Sequence, residues 1–370
     1  MLEKRYFRYF DWINFSLTLI LLSIGLLFIF SSTYKPEKPF SIFFKKQLCG
    51  IISGLLIYLF FSIKDIRFLN KIGYFLYFII LGMLIYTIIN GWIVMGAKRW
   101  IPLYFFRFQP SELTKLFLPV FIAHYFEKQN PKKLKPTLHK IKFKKFIFPL
   151  SILLISIFFI LKQPDLGTAI VILLSGFILF WFIGINKKFF IIFGLIIFIS
   201  TPFLWTFLKP YQKQRILVLL GYGDAKKERY QLIQSKIAIG SGGIIGKGLL
   251  KGTQNKLDFL PENHTDFIFS VICEESGFIG ALIILFLFCI LFTRIIFIII
   301  QLTNFFEQII SLGLLSHLML SMCINVGMGI GILPIVGIPL PLFSYGITNL
   351  WITLASLGWL NNIAIRRFYY

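Results

Sequence analysis

Charge is scarce in this chain. Asp, Glu, Lys and Arg make up 14% of its 370 residues, against 57% hydrophobic, where a soluble domain usually carries about 25% charged residues. That shortage excludes a soluble domain of ordinary size. Cysteine is scarce too: Cys49, Cys273, Cys289 and Cys323 all fall inside apolar runs. There they read as small buried hydrophobes, and they exclude a disulfide framework. His264 has no second His or Cys at ligand spacing, so no metal ligand is assigned. The chain has no soluble linker, no low-complexity tail and no clear internal repeat. Its first apolar run follows a short charged head and lacks a small-residue cleavage site, so it reads as a retained span and not a signal peptide.

What fills the chain instead is a series of apolar runs of about 17–25 residues, each long enough to cross a bilayer. Ten spans are expected, at about 12–32, 45–63, 73–93, 111–127, 146–161, 168–185, 189–208, 267–293, 306–331 and 346–363. The fold class is therefore an all-α polytopic membrane protein, one integral membrane domain over 1–370. One large loop, about 209–265, follows the seventh span.

The net charge of +23 invites a nucleic-acid partner. That reading is rejected, because the Lys and Arg residues lie mostly between apolar runs, where positive charge sets orientation and meets anionic headgroups. Lys4, Arg5 and Arg8, then Lys64, Arg67 and Lys71, a run from Lys128 to Lys145, Lys187 and Lys188, Arg294, and Arg366 and Arg367 fall on one side if ten spans alternate. That side is cytoplasmic, with both termini. Lys35, Lys38, Lys45 and Lys46 fall on the other side and stand against the rule. The large loop then faces outward, together with Lys98-Arg99-Trp100, Gln163-Pro164-Asp165 and the segment Pro334 to Ser344.

Four groups could carry chemistry. Asp266 closes the large loop just before an apolar run begins at Phe267. A carboxylate there reads either as a functional acid or as a helix cap, and His264 and Thr265 flank it. Arg107-Phe108-Gln109-Pro110-Ser111-Glu112-Leu113-Thr114-Lys115 opens the fourth span, with Glu112 and Lys115 on one helix face, either an interfacial ion pair or part of a polar cavity reaching Asp266. Glu274 and Glu275 lie about two turns into the eighth span, Glu274 nearer the Asp266 face and Glu275 nearly opposite, one of them paired to a base or hydroxyl on another helix. Asp165 reads as a cap for the sixth span. The loop's many bases form either a surface for an anionic substrate or a solvated face on anionic lipid. Its glycine run 239–248 lacks P-loop spacing and reads as a turn more readily than as a phosphate cradle.

In order along the chain, Arg107-Phe-Gln-Pro-Ser-Glu112, Gln163-Pro-Asp-Leu-Gly-Thr168, Gln234-Ser-Lys-Ile-Ala-Ile-Gly-Ser-Gly-Gly243, Phe259-Leu-Pro-Glu-Asn-His-Thr-Asp-Phe-Ile-Phe269 and Gly331 through Gly346 resemble the SEDS proteins, bacterial glycosyltransferases of shape, elongation, division and sporulation. The wording is nearer the elongation members than the division members. The resemblance implies polymerisation of lipid II into peptidoglycan at the outer face of the bacterial cytoplasmic (inner) membrane. Asp266 then matches the family's essential loop aspartate, and Glu112 and Lys115 match its cavity residues. It implies an inverting transfer in which Asp266 takes the acceptor proton and Lys115, Lys98, Arg99 or a divalent cation (Mg or Mn) steadies the leaving diphosphate. It also implies a class B penicillin-binding transpeptidase and the rod-shape elongation complex as partners, with exposed faces of the eighth and ninth spans as one docking surface. A lipid II flippase, a division-type polymerase and a non-catalytic scaffold are the alternatives. One departure stands out: where the family usually continues Gly-Ser-Ser after Ser344-Tyr345-Gly346, this chain has Ile347-Thr348-Asn349.

Overall fold

The computed structural model describes residues 8–94, 97–103, 106–129, 143–207, 210–222, 226–257 and 259–367. Lys4, Arg5, most of the basic run after the fourth span (Lys132, Lys133, Lys135, Lys140 and Lys142), and Lys209, Asp224 and Asp258 of the large loop lie outside those residues. Ten helices among the described residues are 18 residues or longer: α1 (Trp12–Thr33), α2 (Ile42–Ile63), α3 (Arg67–Asn90), α4 (Pro110–Gln129), α5 (Lys144–Lys162), α6 (Leu166–Ile183), α7 (Lys187–Phe207), α11 (Ile268–Gln301), α12 (Phe305–Ile330) and α13 (Ile347–Arg366). Three shorter ones, α8 (Pro210–Leu219), α9 (Lys226–Ser241) and α10 (Thr253–Lys256), lie in the large loop. Seven of the long helices are both long and apolar enough to cross a membrane; α4, α7 and α13 are not among them. Helix starts follow local chemistry: Asp11, Ser41, Asp165 and Asn304 each accept a backbone N–H of the first turn, satisfying donors that the helix itself leaves unpaired.

The expectation of an all-α fold needs one correction. Trp92–Val94 (β1), Ala97–Leu103 (β2) and Phe106–Phe108 (β3) form a small antiparallel sheet in the order β1-β2-β3. The third span accordingly ends at Asn90, and its expected last residues pair as a strand instead. Trp92 and Ile93 are β-prone and stand beyond the helix-ending Gly91.

Two ends of the bundle differ sharply. At one, Asp11 pairs with Arg294 at 2.9 Å, Arg366 with Asp65 at 3.0 Å, and Asn361 and Asn362 bind Tyr58, Ser62 and Lys64. The other end is covered by the large loop and by the segment between α12 and α13. This loop is not simply solvated: on α9, Leu232, Ser235 and Ala238 are buried, and the Ser235 hydroxyl donates to the Gly329 carbonyl at 2.7 Å.

The glycine run docks on α11 where that helix breaks, at Gly277 (φ 68°, ψ −166°). Lys247 N–H donates to the Glu274 carbonyl and Gly248 N–H to that of Glu275; Phe278 and Ile279 N–H donate back to Gly243 and Ile244. The backbones touch: a Cβ on Gly246 would stand 2.3 Å from the Glu275 carbonyl oxygen. The N–H groups a phosphate cradle would need are thus engaged by main-chain carbonyls. Both neighbouring acids find partners. Glu274 Oε1 accepts from the Lys247 ammonium and Thr253 N–H, each at 2.7 Å, and the Ser31 hydroxyl lies 2.6 Å from Glu275.

Residues 331–346 are irregular yet inserted among helices. Val336, Ile338, Leu340, Leu342 and Phe343 are buried. Non-helical backbone survives at membrane depth only where protein supplies its hydrogen bonds. The insertion rests on α1 at Gly25, about 12 Å from that helix's end, where a Cβ would meet the Leu342 carbonyl oxygen at 2.5 Å. Gly25→Ala is therefore expected to lower the melting temperature in detergent, by an overpacking cost of about 1–3 kcal/mol. Gly82→Ala, which has nothing within 4 Å, should instead raise it, by about 0.4–1 kcal/mol; thermal unfolding of the two variants checks both signs.

Candidate active site

Asp266 stands on a turn whose carbonyls are held one after another. Tyr345 N–H donates to the His264 carbonyl at 2.8 Å, the Ser344 hydroxyl to that of Thr265 at 2.6 Å, and the Asn325 amide to that of Asp266 at 2.9 Å. Two of these holders are themselves held: Ser344 Oγ accepts from Leu340 N–H at 2.7 Å, and the Asn325 amide also reaches the Ile338 carbonyl at 2.8 Å. Behind the turn, Glu262 takes a left-handed backbone (φ 55°), uncommon for a residue with a side chain, and accepts from Thr265 Oγ1 at 3.0 Å. The capping reading of Asp266 fails: the residue that caps α11 is Phe267, with no side-chain bond. Its carboxylate points instead past Gly337, whose missing Cβ would lie 3.5 Å from Oδ2 at a left-handed φ of 74°.

The half-buried carboxyl of Asp266 has its pKa raised from the ordinary range to about 6, first by burial and then by Glu262, against the opposing pull of Arg99 and Arg215. Arg215 comes from α8 and Arg99 from β2. Arg99 also stands 3.8 Å from Asp165, so one guanidinium serves two acids. Asp165 does cap α6, through Thr168 N–H, and in addition accepts from Gln109 at 2.7 Å and Ser111 at 3.0 Å. That is more than its sequence suggested. Gln109 and Ser111 are thereby tied to Asp165.

Glu112 and Lys115 form a buried pair at 2.7 Å, and Asn349 donates to the other oxygen of Glu112 at 3.0 Å. His317 lies within electrostatic reach of Lys115. Thr348 donates to the Arg107 carbonyl at 3.0 Å. The departure at Ile347-Thr348-Asn349 therefore adds two polar contacts, to Arg107 and to Glu112. Lys98 sits apart from this set, its ammonium on the Ile89 carbonyl. His264 packs its ring 4.4 Å from Phe43, with Nδ1 on Asn263; burial lowers its pKa, against the influence of Glu262. No group of three or more His, Cys, Asp and Glu among the described residues could hold a metal ion. An ion carried by diphosphate oxygens needs only one or two protein carboxylates.

Asn325, Arg215, Glu262 and Asn349 escaped the sequence reading of the site. Asn325 carried a signal, as an amide inside an apolar run. Arg215 was one base among many, and nothing local marked it.

Long apolar helices, with the Glu112–Lys115 pair buried among them, define a multi-pass membrane protein. The chain belongs to the SEDS family: the family model described as "Cell cycle protein", uniting FtsW, RodA and SpoVE, matches residues 12–368. It is 39% identical over 300 residues to peptidoglycan glycosyltransferase MrdB of Escherichia coli K12, covering 79% of this chain and 78% of that one. Among solved structures it is similar to a chain from work on "structural coordination of polymerization and crosslinking by a peptidoglycan synthase complex" (30% identity, 98% of this chain and 99% of that one, TM-score 0.80). It is also similar to the rod shape determining protein RodA of Thermus thermophilus (26% identity, 97% and 98%, TM-score 0.71).

Removing the Asn325 amide should loosen the Asp266 turn. Asn325→Leu takes the donor from a buried carbonyl, Ile338, at about 1–3 kcal/mol, and from the part-buried one of Asp266, and is expected to lower the melting temperature and to speed amide hydrogen exchange at residues 264–267, read by mass spectrometry.

Proposed function

We propose that this chain is a peptidoglycan glycosyltransferase that polymerises lipid II during cell elongation, with Asp266 as general base at the outer face of the bacterial cytoplasmic membrane. The observation that carries the reading is a carboxyl with a pKa near 6, on a rigid turn, within electrostatic reach of two guanidinium groups. A base of that pKa is largely ionised at neutral pH and still basic enough to accept a proton.

The 4-hydroxyl of the acceptor sugar gives its proton to the Asp266 carboxylate as its oxygen attacks the anomeric carbon of the donor glycan. The bond from that carbon to the diphosphate oxygen breaks on the opposite face, which inverts the centre. The diphosphate leaves with the electron pair. Arg99 and Arg215 suit that leaving group by charge. Lys115 and Lys98 suit it less, one being engaged by Glu112 and the other by Ile89. Glu112, Lys115 and Asn349 form the cavity wall that orients the sugars, and Gln109, Ser111 and Asp165 hold Arg99 in place. His264 and Thr265 shape the turn.

Ten spans over one domain, 1–370, with both termini cytoplasmic, fit the ten long helices and the ionic clusters at the end opposite Asp266. A class B penicillin-binding transpeptidase and the rod-shape complex are the partners, supported by likeness to a chain of a peptidoglycan synthase complex. The lipid-side face of α11, with Phe278, Leu282 and Phe286 exposed, suits a transmembrane partner. The ninth span suits it less, because α12 is mostly buried.

Purified protein incubated with lipid II should make glycan chains, and Asp266→Asn should slow this by about 10²–10⁴-fold. The rate should rise with pH through about 6 as Asp266 ionises. Arg99→Gln removes a charge that favours the carboxylate, so its acid limb should lie at higher pH. Wild-type rates from Asp266→Asn would overturn the base assignment, and leaflet exchange of lipid II without polymer would make the protein a flippase.

A further inference from the structure

Lys45 and Lys46 remain without a role. Both are exposed, and neither ammonium has an ion-pair or hydrogen-bond partner among the described residues. They stand at the rim of a groove of about 350 Å³ between α2 and α13, lined by Cys49, Gly50, Ser53, Ile347 and Trp351. The groove is a built feature. Gly50 is buried against α13, with Leu350 and Ile347 side chains 3.5–3.9 Å from where a Cβ would be. The Trp351 indole is fixed as a wall by donating to Ser53 Oγ at 2.9 Å. From Lys45 to Ser53 it runs about 12 Å along α2, basic at one end and apolar along its length.

Its position ties it to the candidate active site. The first turns of α2 hold that site from behind: Gln47 donates to the Ser344 carbonyl and accepts from Gly346 N–H, each at 3.3 Å, and Phe43 packs on His264. The two lysines are therefore at the Asp266 end of the bundle. Ile347 and Trp351, four residues apart, share one face of α13, while Asn349 on the other side binds Glu112. One turn of α13 thus carries both the contact to Glu112 and a wall of the groove.

We propose that this groove is a docking site for a polyprenyl diphosphate, the carrier released by the transfer, with its tail along Gly50 and Trp351 and its diphosphate on Lys45 and Lys46. Charge selects this occupant. A phosphodiester lipid brings one negative charge, whereas a diphosphate brings at least two and matches two adjacent free ammonium groups. The identity of the lipid rests on the proposed transferase reading, but occupancy can be tested without turnover.

Native mass spectrometry of the full-length Asp266→Asn protein with undecaprenyl diphosphate should show one bound lipid that an equal concentration of phosphatidylglycerol does not displace. Lys45→Gln/Lys46→Gln in the same background should weaken binding about tenfold or more, as lost charge-assisted bonds would. In protein with Cys289 and Cys323 changed to Ser, undecaprenyl diphosphate should slow maleimide labelling of Cys49, a readout independent of the lysine variants. Unchanged binding in the double variant, displacement by phosphatidylglycerol, or labelling of Cys49 at an unaltered rate would each overturn the proposal. None of these outcomes depends on whether Asp266 is the base.

Discussion

An irregular stretch of backbone inside a membrane protein must find every hydrogen bond within the protein, and the Asn325 amide is where this chain meets that demand. The Ile338 carbonyl is buried and that of Asp266 partly so, and both take their donor from a neighbouring helix. One amide supplies both, at 2.9 and 2.8 Å. It thereby fastens the turn before α11 to the inserted segment before α13. Ser344 and Tyr345 repeat the device one residue at a time. The position of Asp266 is consequently set by its main chain, and its side chain is left available.

The buried acids of this fold show why that matters. Glu112 has Lys115 and Asn349; Glu274 has Lys247 and two backbone N–H groups; Glu275 has Ser31; Asp165 has Gln109, Ser111 and a helix start. Such partners hold a carboxylate in place as part of the structure, and breaking a buried ion pair such as Glu112–Lys115 costs about 3–5 kcal/mol. Asp266 is different. Among the described residues no side-chain hydrogen bond reaches its carboxylate, and its surroundings act on it through space: burial and Glu262 favour the proton, Arg99 and Arg215 oppose it. Opposed influences leave a group that can change charge near neutral pH, which is what a proton acceptor requires.

Much of this could be read from residue order. Long apolar runs located most of the helices to within a few residues, although the third begins six residues earlier and the eighth ends eight residues later than expected, and an acid at the start of an apolar run marked Asp266. Three features could not be read. The sheet at 92–108 is short and flanked by membrane helices, so its β-prone residues looked like more span. The break at Gly277 lies inside the expected eighth span, and the approach of the Gly243–Gly248 backbone explains it. The role of Arg215 depends on where α8 folds back, a tertiary fact with no local trace.

The departure at 347–349 shows how such a site absorbs change. Where small residues usually follow Gly346, this chain has a branched apolar residue, a hydroxyl and an amide. Ile347 turns outward to line the groove, Thr348 reaches back to the Arg107 carbonyl, and Asn349 reaches Glu112. The amide then does more than fit. Glu112 has two carboxyl oxygens, and Lys115 occupies one. Left alone, the second oxygen would carry a desolvation penalty in the cavity wall. Asn349 binds it without adding charge, so the pair stays neutral overall and the field felt at the Asp266 end of the cavity remains that of Arg99, Arg215 and Glu262. A lysine or arginine at 349 would meet the same oxygen but would add a second cation beside Lys115. The substitution this chain carries satisfies the oxygen without that added charge.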